Sequence, residues 1–188
     1  MSASDSLHYQ LCLEGAKWLH RRKHDYKKCQ TKDCRKPEFC KVCNQYKYVA
    51  VEINTYGAEQ TDVWGWWDGY LSSAVIEVKT SHADFLNDMK KKCRQDSFKD
   101  LQCGNYRWYL CPEGVIKPDE LPENWGLLYW NGKKVYHVVA PKYVECTYKG
   151  DMLIINSILR RENFPSKIFN YRGTNESIKT KVAIDYNT

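Results

Sequence analysis

Apolar residues at Leu7, Leu11, Leu13, Ala16, Trp18 and Leu19 recur close to a 3.6-residue period. This spacing predicts an amphipathic helix over residues 6–22, with Ser4 or Ser6 as its N-cap. Residues 46–54 carry the β-branched and aromatic side chains of a strand, and Tyr56-Gly57 marks the turn out of it. Residues 61–67 and 73–79 read as two further strands joined by an Asp68-Gly69 hairpin turn, which makes a three-stranded meander. Ser81 with Asp84 three residues on resembles a capping box, and Phe85, Leu86, Met89 and Cys93 continue one face of a second helix. Strands follow at 106–111, 125–130 and, after an Asn131-Gly132 turn, 134–139; residues 151–161 read as a last helix. Residues 162–188 lose the pattern, but Phe164, Ile168, Phe169, Tyr171 and the run 182–186 are too apolar for a free tail. That extension is expected to pack on the domain. The order α, βββ, α, then more strands predicts an α/β domain, residues 1–188, built on a mixed sheet flanked by helices.

Composition narrows the classes. Of 188 residues, 43% are hydrophobic and 28% charged, enough apolar side chain for a core, so a wholly disordered chain is excluded. No apolar run approaches the ~20 residues of a bilayer-spanning helix. Residues 1–10 lack the basic stretch followed by an apolar segment of a secretory signal, so a cytoplasmic protein with no membrane partner is expected. The net charge of +6 gathers at Arg21, Arg22, Lys23, Lys27 and Lys28, and again at Lys90, Lys91, Lys92 and Arg94. Such patches favour a polyanionic partner, although each could also be a solvated helix face. The aromatic residues are assigned to packing first.

Four of the nine cysteines lie within fifteen residues: Cys29, Cys34, Cys40 and Cys43, spaced C-x4-C-x5-C-x2-C. Four thiolates can close a tetrahedral Zn2+ shell, and the polar residues between them cannot form a core of their own. The spacing departs from the common ribbon with two C-x2-C knuckles, since only Cys40 and Cys43 form one. A structural zinc loop over residues 27–45 is therefore expected. Unliganded loop cysteines, or a ligand set that includes His20 or His24, are the alternatives. Cys12, Cys93, Cys103, Cys111 and Cys146 are scattered through helix and strand segments and are read as packing residues.

The chemistry concentrates on the meander. Asp62 lies on its second strand, and Glu77-Val78-Lys79 closes its third. Alternation puts Glu77 and Lys79 on one face, and the hairpin brings Asp62 alongside Glu77. Two carboxylates, the Val78 carbonyl and a phosphate oxygen would suit Mg2+, with Lys79 beside the ion to hold a water or stabilise charge on a scissile phosphate. The plain alternative is a solvent-facing Glu-x-Lys ion pair. Against it, the run Ala74-Val75-Ile76 leads in like a buried strand, and charge at the end of such a strand needs a partner.

At these residues the sequence resembles the PD-(D/E)XK nuclease superfamily, and most closely its MmcB-like DNA-repair endonucleases. The likeness covers residues 48–130: Glu52, Thr61-Asp62-Val63, Ile76-Glu77-Val78-Lys79, Ser81, Asp84-Phe85, Asp88 and Lys90, then Cys103 before residues 106–110. The resemblance implies a restriction-endonuclease-like fold. It also implies Asp62 and Glu77 as ligands of a catalytic Mg2+ or Mn2+, Lys79 as the catalytic lysine, and Lys90 and its neighbours against DNA. A further carboxylate would come from the first helix as Glu14, or from the strand as Glu52; both could equally be surface acids. Thr61 stands where the superfamily has its proline, and Lys91 where a tryptophan usually follows the helix lysine. The cysteine loop is not part of the pattern and reads as an insertion, whose Lys32, Arg35, Lys36 and Lys41 could touch the DNA backbone. The function expected is a metal-dependent endonuclease acting on DNA in repair or in phage and mobile-element processing, with RNA left open. Cutting both strands would favour a homodimer or sequential nicking. The rivals are a nuclease-fold module that binds nucleic acid without cutting it, and a zinc-dependent interaction module centred on the cysteine loop.

Overall fold

The computed structural model describes residues 3–20, 46–55, 57, 59–67, 72–91 and 101–162. Outside them lie the four loop cysteines, Arg35, Lys36, Lys92, Cys93, Arg94, the Asp68-Gly69 turn and the extension beyond residue 162. Helix α1 spans Ala3–His20, followed by strands β1 (Tyr48–Ile53), β2 (Thr61–Trp67) and β3 (Ser72–Val78). A short helix α2 (His82–Asp88) precedes β4 (Tyr106–Pro112). Then come a 3-10 turn at Pro118–Glu120, strands β5 (Trp125–Trp130) and β6 (Val135–Val139), and helix α3 (Lys149–Arg161). Six strands form one mixed sheet in chain order. The β1-β2, β2-β3 and β5-β6 pairs are antiparallel, whereas β3-β4 and β4-β5 are parallel. The predicted α/β class and mixed sheet are therefore observed, with three α-helices flanking the sheet among the described residues.

The burial of β3 explains its composition. Every residue from Ser72 to Val78 is buried, because both faces of the sheet are covered, and a strand covered on both faces reads as a continuous apolar run. On one face Ala74, Ile76 and Val78 pack with Leu11, Cys12 and Leu19 of α1. On the other, Val75 packs with Trp64, Ile53, Cys103 and Ile154 of α3. A third cluster joins Phe85 of α2 to Tyr109, Cys111, Ile116 and Leu127. Helix α1 approaches the sheet closely at Gly15, where a Cβ would stand 3.1 Å from Leu110 Cδ2. A side chain there requires Leu110 or the helix to give by a few tenths of an ångström.

The main departures from the sequence expectation are three. Helix α1 begins at Ala3 and not at residue 6, so Ser4 and Ser6, expected as its N-cap, lie within it. The third strand begins and ends one residue earlier than predicted, so Lys79 lies just past its end, although its backbone N–H still donates to the Leu110 carbonyl at 2.9 Å. In α2 the apolar face drawn through Leu86 and Met89 is exposed, and the buried residues are Phe85 and Asp88. Tyr109 decides this: its ring takes Phe85 edge-on at 5.1 Å, and its hydroxyl donates to Asp88 Oδ2 at 2.8 Å. Ser81 caps α2 as expected, accepting from the Asp84 N–H.

Helix α3 is fixed to the sheet by a buried carboxylate. Asp151, in its first turn, accepts from Trp64 Nε1 at 2.7 Å and from Ser73 Oγ at 3.0 Å. Burial pushes the Asp151 carboxyl above its ordinary range, against the pull of these donors. Asp151→Ala should destabilise the fold by about 1–3 kcal/mol for each buried donor left unmatched. Urea unfolding at neutral pH would read this as a lower midpoint at constant slope. Among the described residues no helix is long and apolar enough to cross a membrane.

Candidate metal-binding and catalytic site

The three residues of the meander converge at one end of the sheet. Val63–Ile76 is the last pair of the β2-β3 ladder, so Asp62 and Glu77 are the next residue of each strand beyond it. Asp62 Oδ2 accepts the Val78 N–H at 2.7 Å, which finishes the end of β3 and fixes the carboxylate. Val78, expected to offer its carbonyl to an ion, thus engages Asp62 through its N–H. Lys79 Nζ lies 3.4 Å from Glu77 Oε2 and 3.2 Å from Asp88 Oδ1. The side chains of Glu77, Lys79 and Asp88 are 2%, 3% and 0% exposed, so this is an interior charge cluster and not a solvated pair. Asp88 also accepts from Tyr109 and meets Lys91 Nζ at 2.8 Å. It entered the sequence pattern without a role, and the structure makes it the second carboxylate on Lys79.

Helix α1 supplies a residue that the sequence reading missed. His8 Nε2 lies 3.5 Å from Asp62 Oδ1, and its Nδ1 lies 3.5 Å from Glu52 Oε1 and 3.6 Å from Cys12 Sγ. Glu14, the helix carboxylate expected here, pairs with Lys17 at 2.6 Å. Six residues separate it from His8, which turns it about 120° around the helix axis. Glu52, the strand alternative, does reach the site. Its backbone is left-handed, at φ 47°, and it falls between the Val51–Val63 and Ile53–Thr61 pairs, opposite Asp62. The signal for His8 was present as the i, i+4 pair His8 and Cys12 on one helix face, but nothing in the sequence says which strand that face meets.

The electrostatics follow from these contacts. Burial by itself would raise the Asp62 carboxyl, but the His8 contact, the Lys79 charge and the Val78 N–H together hold it below its ordinary value. The same contact to Asp62 raises His8 above the usual imidazole range despite its partial burial. Burial pushes the Cys12 thiol far up, and the charges of Asp62, Glu52 and Glu77 push it further. In chelator-treated protein the His8–Asp62 pair should therefore give a stability bounded on both sides. The His8 part is complete below about pH 6.5 and fades as pH rises through the elevated folded value. The Asp62 part is present above about pH 4 and fades as pH falls through the depressed one. Thermal melts of His8→Gln across pH 3–9 should lack the alkaline decline attributable to this pair; a decline identical to the parent's would remove His8 from the account.

The donor set divides by hardness. Asp62 and Glu77 offer oxygen only and sit beside an ammonium, which fits a hard divalent cation such as Mg2+ or Mn2+. Of the basic residues assigned to DNA, Lys90 and Lys91 lie exposed just past α2, and Lys91 Nζ stands 2.8 Å from Asp88 Oδ1. Lys92, Arg94, Arg35 and Lys36, and the Cys29, Cys34, Cys40 and Cys43 set, lie outside the described residues.

Comparison with protein-family models finds no match. Comparison with curated proteins finds none either. Among solved structures the chain is similar to the SPO1766 protein of unknown function from Silicibacter pomeroyi, at 19% identity and a TM-score of 0.47, over 62% of this chain and 74% of that one.

Proposed function

We propose that this chain is a divalent-metal-dependent nuclease of restriction-endonuclease-like fold that hydrolyses DNA phosphodiester bonds. The observation that carries the reading is that Asp62 and Glu77 both lie just beyond the last pair of two antiparallel strands, with the Lys79 ammonium against Glu77. The order α1, antiparallel β1-β2-β3, α2 and parallel β4 supports the same reading, since it brings both carboxylates and the lysine to one sheet end. Asp62 and Glu77 would hold Mg2+ or Mn2+, which when bound supplies Lewis acidity and a more acidic water. The residues themselves do the rest. Asp62 is oriented through the Val78 N–H and His8. Lys79, held by Glu77 and Asp88, places a fixed positive charge where negative charge grows on the phosphate. Lys90 and Lys91 would meet the nucleic-acid backbone. The four loop cysteines would hold a structural Zn2+ apart from this chemistry. Cys40→Ser should then lower both zinc content and thermal stability, and a variant equal to the parent in both would remove that ion.

A specific observation favours a second reading. Lys79 is shared between two buried carboxylates, as it would be in a charge cluster that merely closes the core, and the chain would then bind nucleic acid without cutting it. Incubating the full chain with single-stranded, duplex, branched and damaged DNA, with Mn2+ or with chelator, separates the two. Metal-dependent cleavage of any member, absent in Asp62→Asn, supports the nuclease. Binding at low salt that weakens steeply as salt rises, with no cleavage under any divalent ion, supports the binding module.

A further inference from the structure

His8, Cys12 and Glu52 form a second constellation, set back from the Asp62–Glu77 pair on the side of α1. Their donor atoms all lie within 4.8 Å of one another. A tetrahedral zinc centre has Zn–S of about 2.3 Å and Zn–N or Zn–O of about 2.0–2.1 Å. By simple trigonometry its ligand atoms stand about 3.6 Å apart for sulfur and nitrogen and about 3.4 Å for nitrogen and oxygen. The observed separations are 3.6 Å from Cys12 Sγ to His8 Nδ1 and 3.5 Å from His8 Nδ1 to Glu52 Oε1. We propose that His8 Nδ1, Cys12 Sγ and a Glu52 carboxylate oxygen form a three-residue site for a borderline divalent metal, Zn2+ above all, distinct from the hard-cation pair and from the cysteine loop.

Two further features fit this assignment. The outer nitrogen of His8 faces Asp62 Oδ1 at 3.5 Å, and a metal-ligating histidine characteristically gives its other ring nitrogen to a carboxylate, which fixes its tautomer and orientation. Glu52 comes to the site from a left-handed residue that interrupts an otherwise regular strand pair. That conformation is costly for a residue with a Cβ and persists where the surroundings impose it. Thiolate, imidazole and carboxylate together select Zn2+ over Mg2+, which prefers oxygen and keeps its waters. Binding transfers the Cys12 thiol proton to solvent as the S–Zn bond forms, so charge and atoms balance without a redox partner. With three protein ligands the fourth position is left to water, on the exposed flank of Glu52. An ion there would tie α1 to β1 and hold His8 against Asp62, so loading this site would position a residue of the neighbouring pair.

The test is metal content, not cleavage. The full-length chain, stripped with chelator, reloaded with Zn2+ and freed of excess, should carry one equivalent more than Cys12→Ser prepared alongside it. Zinc held elsewhere cancels in the difference. Because Cys12 is buried and its substitution could unfold the chain, Glu52→Gln, at an exposed position, serves as the second variant. Its zinc affinity in a competing chromophoric chelator should fall at least about tenfold. Reloading with Co2+ should give a thiolate-to-cobalt charge-transfer band whose intensity drops in Cys12→Ser. Equal zinc content in parent and Cys12→Ser, or an unchanged affinity in Glu52→Gln, would overturn the proposal. A chain that loads this zinc and cuts no DNA refutes only the nuclease, whereas cleavage without Cys12-dependent zinc refutes only this site.

Discussion

Replacing Lys79 by methionine should lower the free energy of unfolding by about 3–5 kcal/mol, the range for removing one partner of a buried ion pair. The loss comes less from the attraction forfeited than from what remains: Glu77 and Asp88, both interior, would lose the ammonium that they share. Lys91 still reaches Asp88, so the cost should fall mainly on Glu77. A double-mutant cycle makes this measurable. Lys79→Met in a Glu77→Gln background should be less destabilising than in the parent by 1 kcal/mol or more, roughly the coupling expected of contacting charges. Urea unfolding at pH 7 reads both. Strict additivity would mean that Lys79 does not act on Glu77, and the charge cluster would then have no bearing on the site.

The second large effect concerns turnover. Asp62→Asn and Glu77→Gln keep the shape and one acceptor oxygen while removing the charge that a hard cation requires. Each should reduce Mn2+-dependent cleavage by about 10²–10³-fold or more, the scale of deleting one preorganised electrostatic group. Nucleic-acid affinity should stay near the parent's, because phosphate contacts are assigned to the lysines after α2. A fall in affinity parallel to the fall in rate would indicate lost folding or lost binding instead. Undiminished turnover in both variants would reject Asp62 and Glu77 as the metal pair. For Asp62→Asn a second consequence follows from its contacts: His8 loses the contact that does most to raise it, so the alkaline decline in stability should shrink as well.

The amino-acid order alone determined the elements and their class. Helical spacing in α1, β-branched strands, the Asn131-Gly132 turn and the Ser81 cap are local preferences, and each element appears in its predicted order, with some ends displaced by one to three residues. The run Ala74-Val75-Ile76 in β3 likewise announced a buried strand, and its closing Glu-x-Lys announced charges in need of partners. Only the tertiary structure decided which partners they found. Nothing local distinguishes Asp88 from a solvent-facing helix acid; it is buried because α2 lies over Tyr109 and Lys79. Nothing local prefers His8 to Glu14 either, since the choice depends on the rotation of α1 over the ends of β1 and β2. Periodicity fixes the contents of a face within one element. The groups that it meets depend on the angle and depth at which elements pack, which are set by contacts such as Gly15 against Leu110, remote in the chain.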